Sequence, residues 1–113
     1  MVEAGRAREI VSGMDKIDLI TQKPDGTVVL VMVEERPWDG SRARLEELQA
    51  RVNNYVSFAL DGQLVQRFPM VEGQAVEIRL DCSEEPDSIS RDFLSKLRDK
   101  LEEFNVMLEV NVP

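Results

Sequence analysis

The chain has 113 residues, 42% hydrophobic and 32% charged, with 22 acidic side chains against 14 basic ones and a formal net charge of −8. That balance fits one globular domain and opposes binding to nucleic acid or anionic lipid, which reward clustered Lys and Arg. With no histidine and one cysteine, the chain lacks Ser-His and Cys-His nucleophile pairs, histidine general bases, His-containing zinc motifs and any internal disulfide.

Residues 1–13 carry no apolar run of the kind a secretory signal needs and are expected to form a flexible or weakly helical arm. A single α/β domain is then expected over 14–113, in a reducing cytoplasm and with no membrane span. Met14 to Gln22 holds Ile17, Leu19 and Ile20, a first strand. Lys23-Pro24-Asp25-Gly26 follows as a hairpin connection, proline presetting one φ and glycine accepting the positive one. Thr27 to Val33 is the stretch in which both alternating sets are apolar: Val29, Val31 and Val33 on one face, Val28, Leu30 and Met32 on the other. Such a strand is either central and covered on both sides or has one face waiting for a partner.

Arg36-Pro37-Trp38-Asp39-Gly40-Ser41 interrupts the pattern. Leu45, Leu48, Val52, Tyr55, Val56 and Ala59 then recur at the threes and fours of one helix face, with Asp39 or Ser41 as cap and Asp61-Gly62 as stop. Glu47 and Arg51 are spaced as a favourable helical pair. Gln63 to Phe68 is expected as a short strand, and Val76, Ile78 and Leu80 alternate with Glu77, Arg79 and Asp81 as a strand with one wet face. A second helix carries Ile89, Phe93, Leu97, Leu101 and Phe104, with Leu94 at its edge, and Val106, Leu108, Val110 and Val112 make a last strand. Two successive ββα units are consistent with duplication or with chance.

The expected architecture is an α+β two-layer sandwich of order ββαββαβ. It has a mainly antiparallel five-stranded sheet with both helices on one face, a relative of ferredoxin-like folds.

Four features are candidates for function. Val28, Leu30 and Met32, or their alternates, offer an apolar face for a second copy of the chain. Trp38 is either an interface anchor or a lid over the core. Glu34, Glu35 and Asp39 leave one strand, and Asp81, Glu84, Glu85 and Asp87 leave another; converging carboxylates would bind a divalent ion or split into acid and base, whereas helix capping is the simpler role. Cys82 lies among acidic neighbours that raise a thiol's pKa and dull it.

Ile17-Asp18-Leu19-Ile20, Gly26 before an apolar strand, an acidic loop ending in Trp38, Leu48-Gln49, Asn54-Tyr55, Phe58, Gly62-Gln63-Leu64, Pro69, Gly73 and Val76-Glu77-Ile78 resemble a family of small bacterial proteins grouped only as a domain of unknown function. The likeness runs over roughly residues 16–95, is looser in the second helix and last strand, and contains no catalytic signature. It implies one domain and supplies no chemistry. The expectation from sequence is a non-enzymatic interaction module, homodimeric or bound to another protein, without metal or cofactor. The alternative is a small-molecule or metal binder near Trp38 and the acidic loops. Imitation of DNA by spaced carboxylates is a third, more remote option.

Overall fold

The computed structural model describes residues 8–14 and 17–113, with side chains from Leu19 onward. Strands β1 (Arg8–Met14), β2 (Ile17–Gln22), β3 (Val28–Glu34), β4 (Val76–Cys82) and β5 (Val106–Asn111) hydrogen-bond in chain order as one open sheet. The β1–β2 and β2–β3 joins are antiparallel, and the β3–β4 and β4–β5 joins are parallel. Helix α1 (Arg42–Leu60), the single turn α2 (Gln63–Arg67) and a 3₁₀ turn (Pro69–Val71) connect β3 to β4, and α3 (Ser88–Glu102) connects β4 to β5.

The mixed α+β class holds, but the element order is βββααβαβ rather than ββαββαβ. Residues 8–13, expected in a flexible arm, lie in β1, while residues 1–7 lie outside the described residues. Gln63 to Phe68, expected as a strand, contains a helical turn instead. Its apolar residues Leu64 and Phe68 are four apart and both reach the core, a spacing one turn satisfies as well as a strand does. The second ββα unit therefore dissolves.

Without that strand, the chain passes from β3 through α1 and α2 directly into its neighbour β4. Both crossovers then step one strand in the same direction, and crossovers of one hand place their helices on one face. The interleaved strand order of a ferredoxin-like sheet is absent, and the sheet is mixed rather than mainly antiparallel.

The core lies between that face and the helices. Ile20, Val28, Leu30, Met32, Ile78, Leu80, Val106 and Leu108 meet Leu48, Val52, Tyr55, Leu94, Leu97 and Leu101. In α3 the buried stripe is centred on Leu94, Leu97 and Leu101, while Ile89 and Phe104 are about half exposed or more, a rotation from the expected stripe. Tyr55 reaches across to donate its hydroxyl to the Val31 carbonyl at 3.2 Å.

β3 is buried on both faces. Val28, Leu30 and Met32, first considered as an interface, are 0% exposed beneath the helices. Their alternates Val29 and Val31 are 1% and 2% exposed, flanked in register by Thr21 and Glu77 and by Leu19 and Arg79. Val33 alone of that set is open, at 38%. The strand is central in the full sense, so it has no apolar row left to offer.

Candidate functional site

Parallel pairing carries β3 and β4 to the same end of the sheet, where Glu34 lies opposite Cys82 and the Ser83 amide donates to the Glu34 carbonyl at 3.0 Å. The loops leaving that end run into the N-termini of α1 and α3. Ser41 caps α1 by accepting from the Arg44 amide, and Asp87 caps α3 by accepting from the Ser90 amide. The loops touch: a Cβ on Gly40, whose φ is +69°, would come within 2.5 Å of an Asp87 carboxylate oxygen. Ligands of parallel α/β sheets usually sit at this end of the strands.

Glu34 continues the phase of Val28, Leu30 and Met32, so its carboxylate points inward and is 2% exposed. Arg44 and Arg51, seven residues apart on α1, reach it with N–O distances of 3.0 Å each, and Arg36 closes the third side at 3.2 Å. The Arg36 amide also donates to it, at 3.0 Å. Burial alone would raise this carboxyl's pKa; the side-chain and amide bonds from Arg36 and the charge of Arg44 outweigh it, and the net shift is downward. Glu34 is a fixed anion tying β3 to α1, not an acid or base waiting for a substrate. Glu47 pairs with Arg36, so the expected Glu47–Arg51 pair gives way to this clasp.

The other acidic residues disperse. Asp39 accepts from the Ser41 amide within its own turn, and Asp81 pairs with Arg79 and Asn111. Glu35, Glu84 and Glu85 are exposed, and no group of three metal-ligating side chains forms among the described residues. Capping and pairing account for Glu34, Asp39, Asp81 and Asp87. Cys82 has a thiol pKa pushed up to about 11, by burial first and then by Glu34 and Asp81, so it stays protonated at neutral pH.

Trp38 is a lid. Its ring packs on the core, stacks over the Arg44 guanidinium at 4.9 Å, and donates its indole N–H to the Glu84 carbonyl at 3.2 Å. Beneath it Arg44 keeps Nε and Nη1 buried without hydrogen-bond partners. Sequence reasoning missed this clasp, although two signals were present. The period-two phase of β3 turns Glu34 inward, and the seven-residue spacing of Arg44 and Arg51 puts both on one side of α1.

The second feature missed is the edge at β5. In a parallel ladder a residue sends its N–H and C=O to the same neighbour, and successive residues alternate sides. Val28 donates to the Ala75 carbonyl and Ser83 to the Glu34 carbonyl, so odd residues of β4 bond to β3 and even ones to β5. Met107, Glu109 and Asn111 then bond to β4, leaving the backbone groups of Val106, Leu108 and Val110 on the free side. Consistently, Arg98 Nε reaches the Leu108 carbonyl at 3.3 Å. The edge is regular: β5 runs beside β4 from Val76–Val106 to Asp81–Asn111 without a shift, whereas β1 has an irregularity between Glu9 and Val11. Beside β5 a cleft of about 280 Å³ is floored by Pro86, Leu94, Val110 and Val112 and rimmed by Glu85, Arg91, Ser95 and Arg98.

The fold and these two features define a small α+β domain with one open sheet, clasped at one strand end and with β5 at the sheet's edge among the described residues. The chain belongs to a family of unknown function (DUF6572), whose model matches residues 10–113. The match extends through α3 and β5, beyond the span over which the sequence likeness was legible. No curated protein and no solved structure matches the chain. Among the described residues no helix is long and apolar enough to cross a membrane.

Proposed function

We propose that this protein is a non-enzymatic protein-interaction module that takes an extended segment of another protein onto the free edge of β5. The observation that carries the reading is the state of that edge. Natural sheets blunt exposed edges with prolines, bulges, lysines or a covering element. Within β5 there is no proline, lysine or register shift, and only Arg98 reaches its outward carbonyls among the described residues. Strand addition uses such an edge for affinity and a neighbouring groove for selectivity. Val110→Pro tests this, because the Val110 N–H faces the free side and its loss removes no bond to β4. The variant should keep its fold by circular dichroism yet lose peptide-induced protection of β5 amides from hydrogen exchange. Undiminished protection would sink the reading.

A second reading, a small-anion site under Trp38, is favoured by the two unpartnered nitrogens of Arg44. Trp38 is the chain's one tryptophan, so its fluorescence reports directly. Titration with phosphate, sulfate or short carboxylates should shift that emission and raise the melting temperature; an unchanged spectrum at millimolar anion removes this reading.

A further inference from the structure

We infer that the strand received at β5 is acidic, with the pattern acid–x–apolar–x–acid, and that Arg91 and Arg98 select it. This rests on the edge-docking reading above and adds the chemistry of the partner.

Arg91 and Arg98 are exposed on α3, on the rim of the cleft, and neither forms an ion pair among the described residues. Arg36, Arg42, Arg44, Arg51 and Arg79 do, and Arg67, remote from the cleft lining, does not. In a chain with 22 acidic side chains, two guanidiniums lie beside the apolar floor of this cleft, against a single carboxylate in its lining. Glu85 at the cleft's rim offsets one of them only.

Spacing sets the pattern. Seven residues of helix put the two Cα atoms about 10.5 Å apart. Residues i and i+4 of an added strand point to the helix side about 13 Å apart, a difference two long arginine side chains absorb. Residue i+2 lies between them, over Leu94 and Val110. The partner's backbone N–H replaces Arg98 on the Leu108 carbonyl, which frees that guanidinium for a carboxylate. The cleft, about 280 Å³, has room for an apolar side chain over Leu94 and Val110.

A second copy of this chain fits poorly. An isologous contact would bring Arg91 and Arg98 against the same pair. The helix-side residues of β5 are Val106, Leu108 and Val110; its carboxylate, Glu109, is on the opposite face. The net charge of −8 does not decide the matter, since charges beyond about 8 Å are largely screened at physiological salt.

The test is a titration of isotopically labelled full-length protein with three capped seven-residue peptides, Thr-Glu-Thr-Val-Thr-Glu-Thr and its Gln-for-Glu and Lys-for-Glu versions. The acidic peptide should shift the amides of Val106, Leu108 and Val110 and bind about tenfold more tightly than the glutamine peptide. In the Arg91→Glu/Arg98→Glu protein, whose changes lie at exposed positions, the lysine peptide should bind best. Equal shifts of β5 by all three peptides overturn the charge inference and leave the edge reading standing. Concentration-dependent dimerisation through β5, seen by light scattering with the same amide shifts, also overturns it. If no peptide in either protein disturbs β5, the edge reading itself falls.

Discussion

Both crossover helices carry two arginines seven residues apart, and the pairs do opposite things. On α1, Arg44 and Arg51 are the third and tenth residues after the cap Ser41, and both fold onto the buried carboxylate of Glu34. On α3, Arg91 and Arg98 are the fourth and eleventh after the cap Asp87. One residue is about 100° of helical rotation, enough to carry the second pair from the core side to the rim beside β5. The strand ends differ as well: in register with Glu34, β4 places Cys82, a protonated thiol with no charge to offer a guanidinium. The third position after the Asp87 cap is Ser90, fully buried, where α1 has Arg44. The same spacing thus makes a closed clasp where a carboxylate faces inward and an open one where none does.

The largest expected effect comes from breaking the closed clasp. Glu34→Gln leaves Arg44 buried without its counter-charge, and removing one partner of a buried pair costs about 3–5 kcal/mol. That is a large share of the ~5–15 kcal/mol that holds a small domain together. Denaturant unfolding at pH 7 measures it. The pH dependence has a definite sign. The folded carboxyl is held below its ordinary value of 4.5, so its contribution is complete above that value and fades as pH falls through the lower, folded-state value. Below pH 4.5 the two proteins should therefore converge, with a flatter acid limb for Glu34→Gln. A parallel offset at all pH values would mean that the carboxylate's charge is not what the clasp uses.

Arg44→Met should cost less, about 2 kcal/mol. Arg36 and Arg51 remain on Glu34, and the two buried nitrogens that lack partners disappear with the guanidinium. Trp38 emission should change at the same time, because its ring loses the cation 4.9 Å away. A cost as large as that of Glu34→Gln would show that Arg44 alone, not the trio, neutralises the carboxylate.

Much of the frame was legible in the sequence, since each local signal had one physical solution. The hairpin at Lys23–Gly26 needed a positive φ, and Gly26 supplies 99°. The threes and fours of Leu45, Leu48, Val52 and Tyr55 describe α1, with Ser41 as its cap. What failed were segments with two solutions. Gln63 to Phe68 is too short for its apolar spacing to separate a turn of helix from a strand. Read as a strand, it made the element order wrong and pointed to a ferredoxin-like sheet. Val29 and Val31 looked like an exposed row because sequence shows that a face is apolar, not whether anything covers it. The clasp was readable only in combination, from the phase of Glu34 on β3 with that of Arg44 and Arg51 on α1. The edge at β5 depends on which backbone groups face outward, and that required the ladder itself.

The smallest stability effect should come from the open clasp, where function would show instead. Arg91→Ala and Arg98→Ala, singly or together, should change unfolding free energy by no more than about 0.5 kcal/mol, as expected for exposed positions with no ion-pair partner among the described residues. Arg98 does give up its bond to the Leu108 carbonyl, but that oxygen lies on the free edge and turns to water. The same double variant should bind the acidic seven-residue peptide no better than the neutral one. That is the opposite pattern to Arg44→Met, which should lower stability and leave the peptide preference intact. If the double alanine variant instead lost more than about 1 kcal/mol while still preferring the acidic peptide, the α3 pair would be structural, as the α1 pair is, and the contrast between the two helices would collapse.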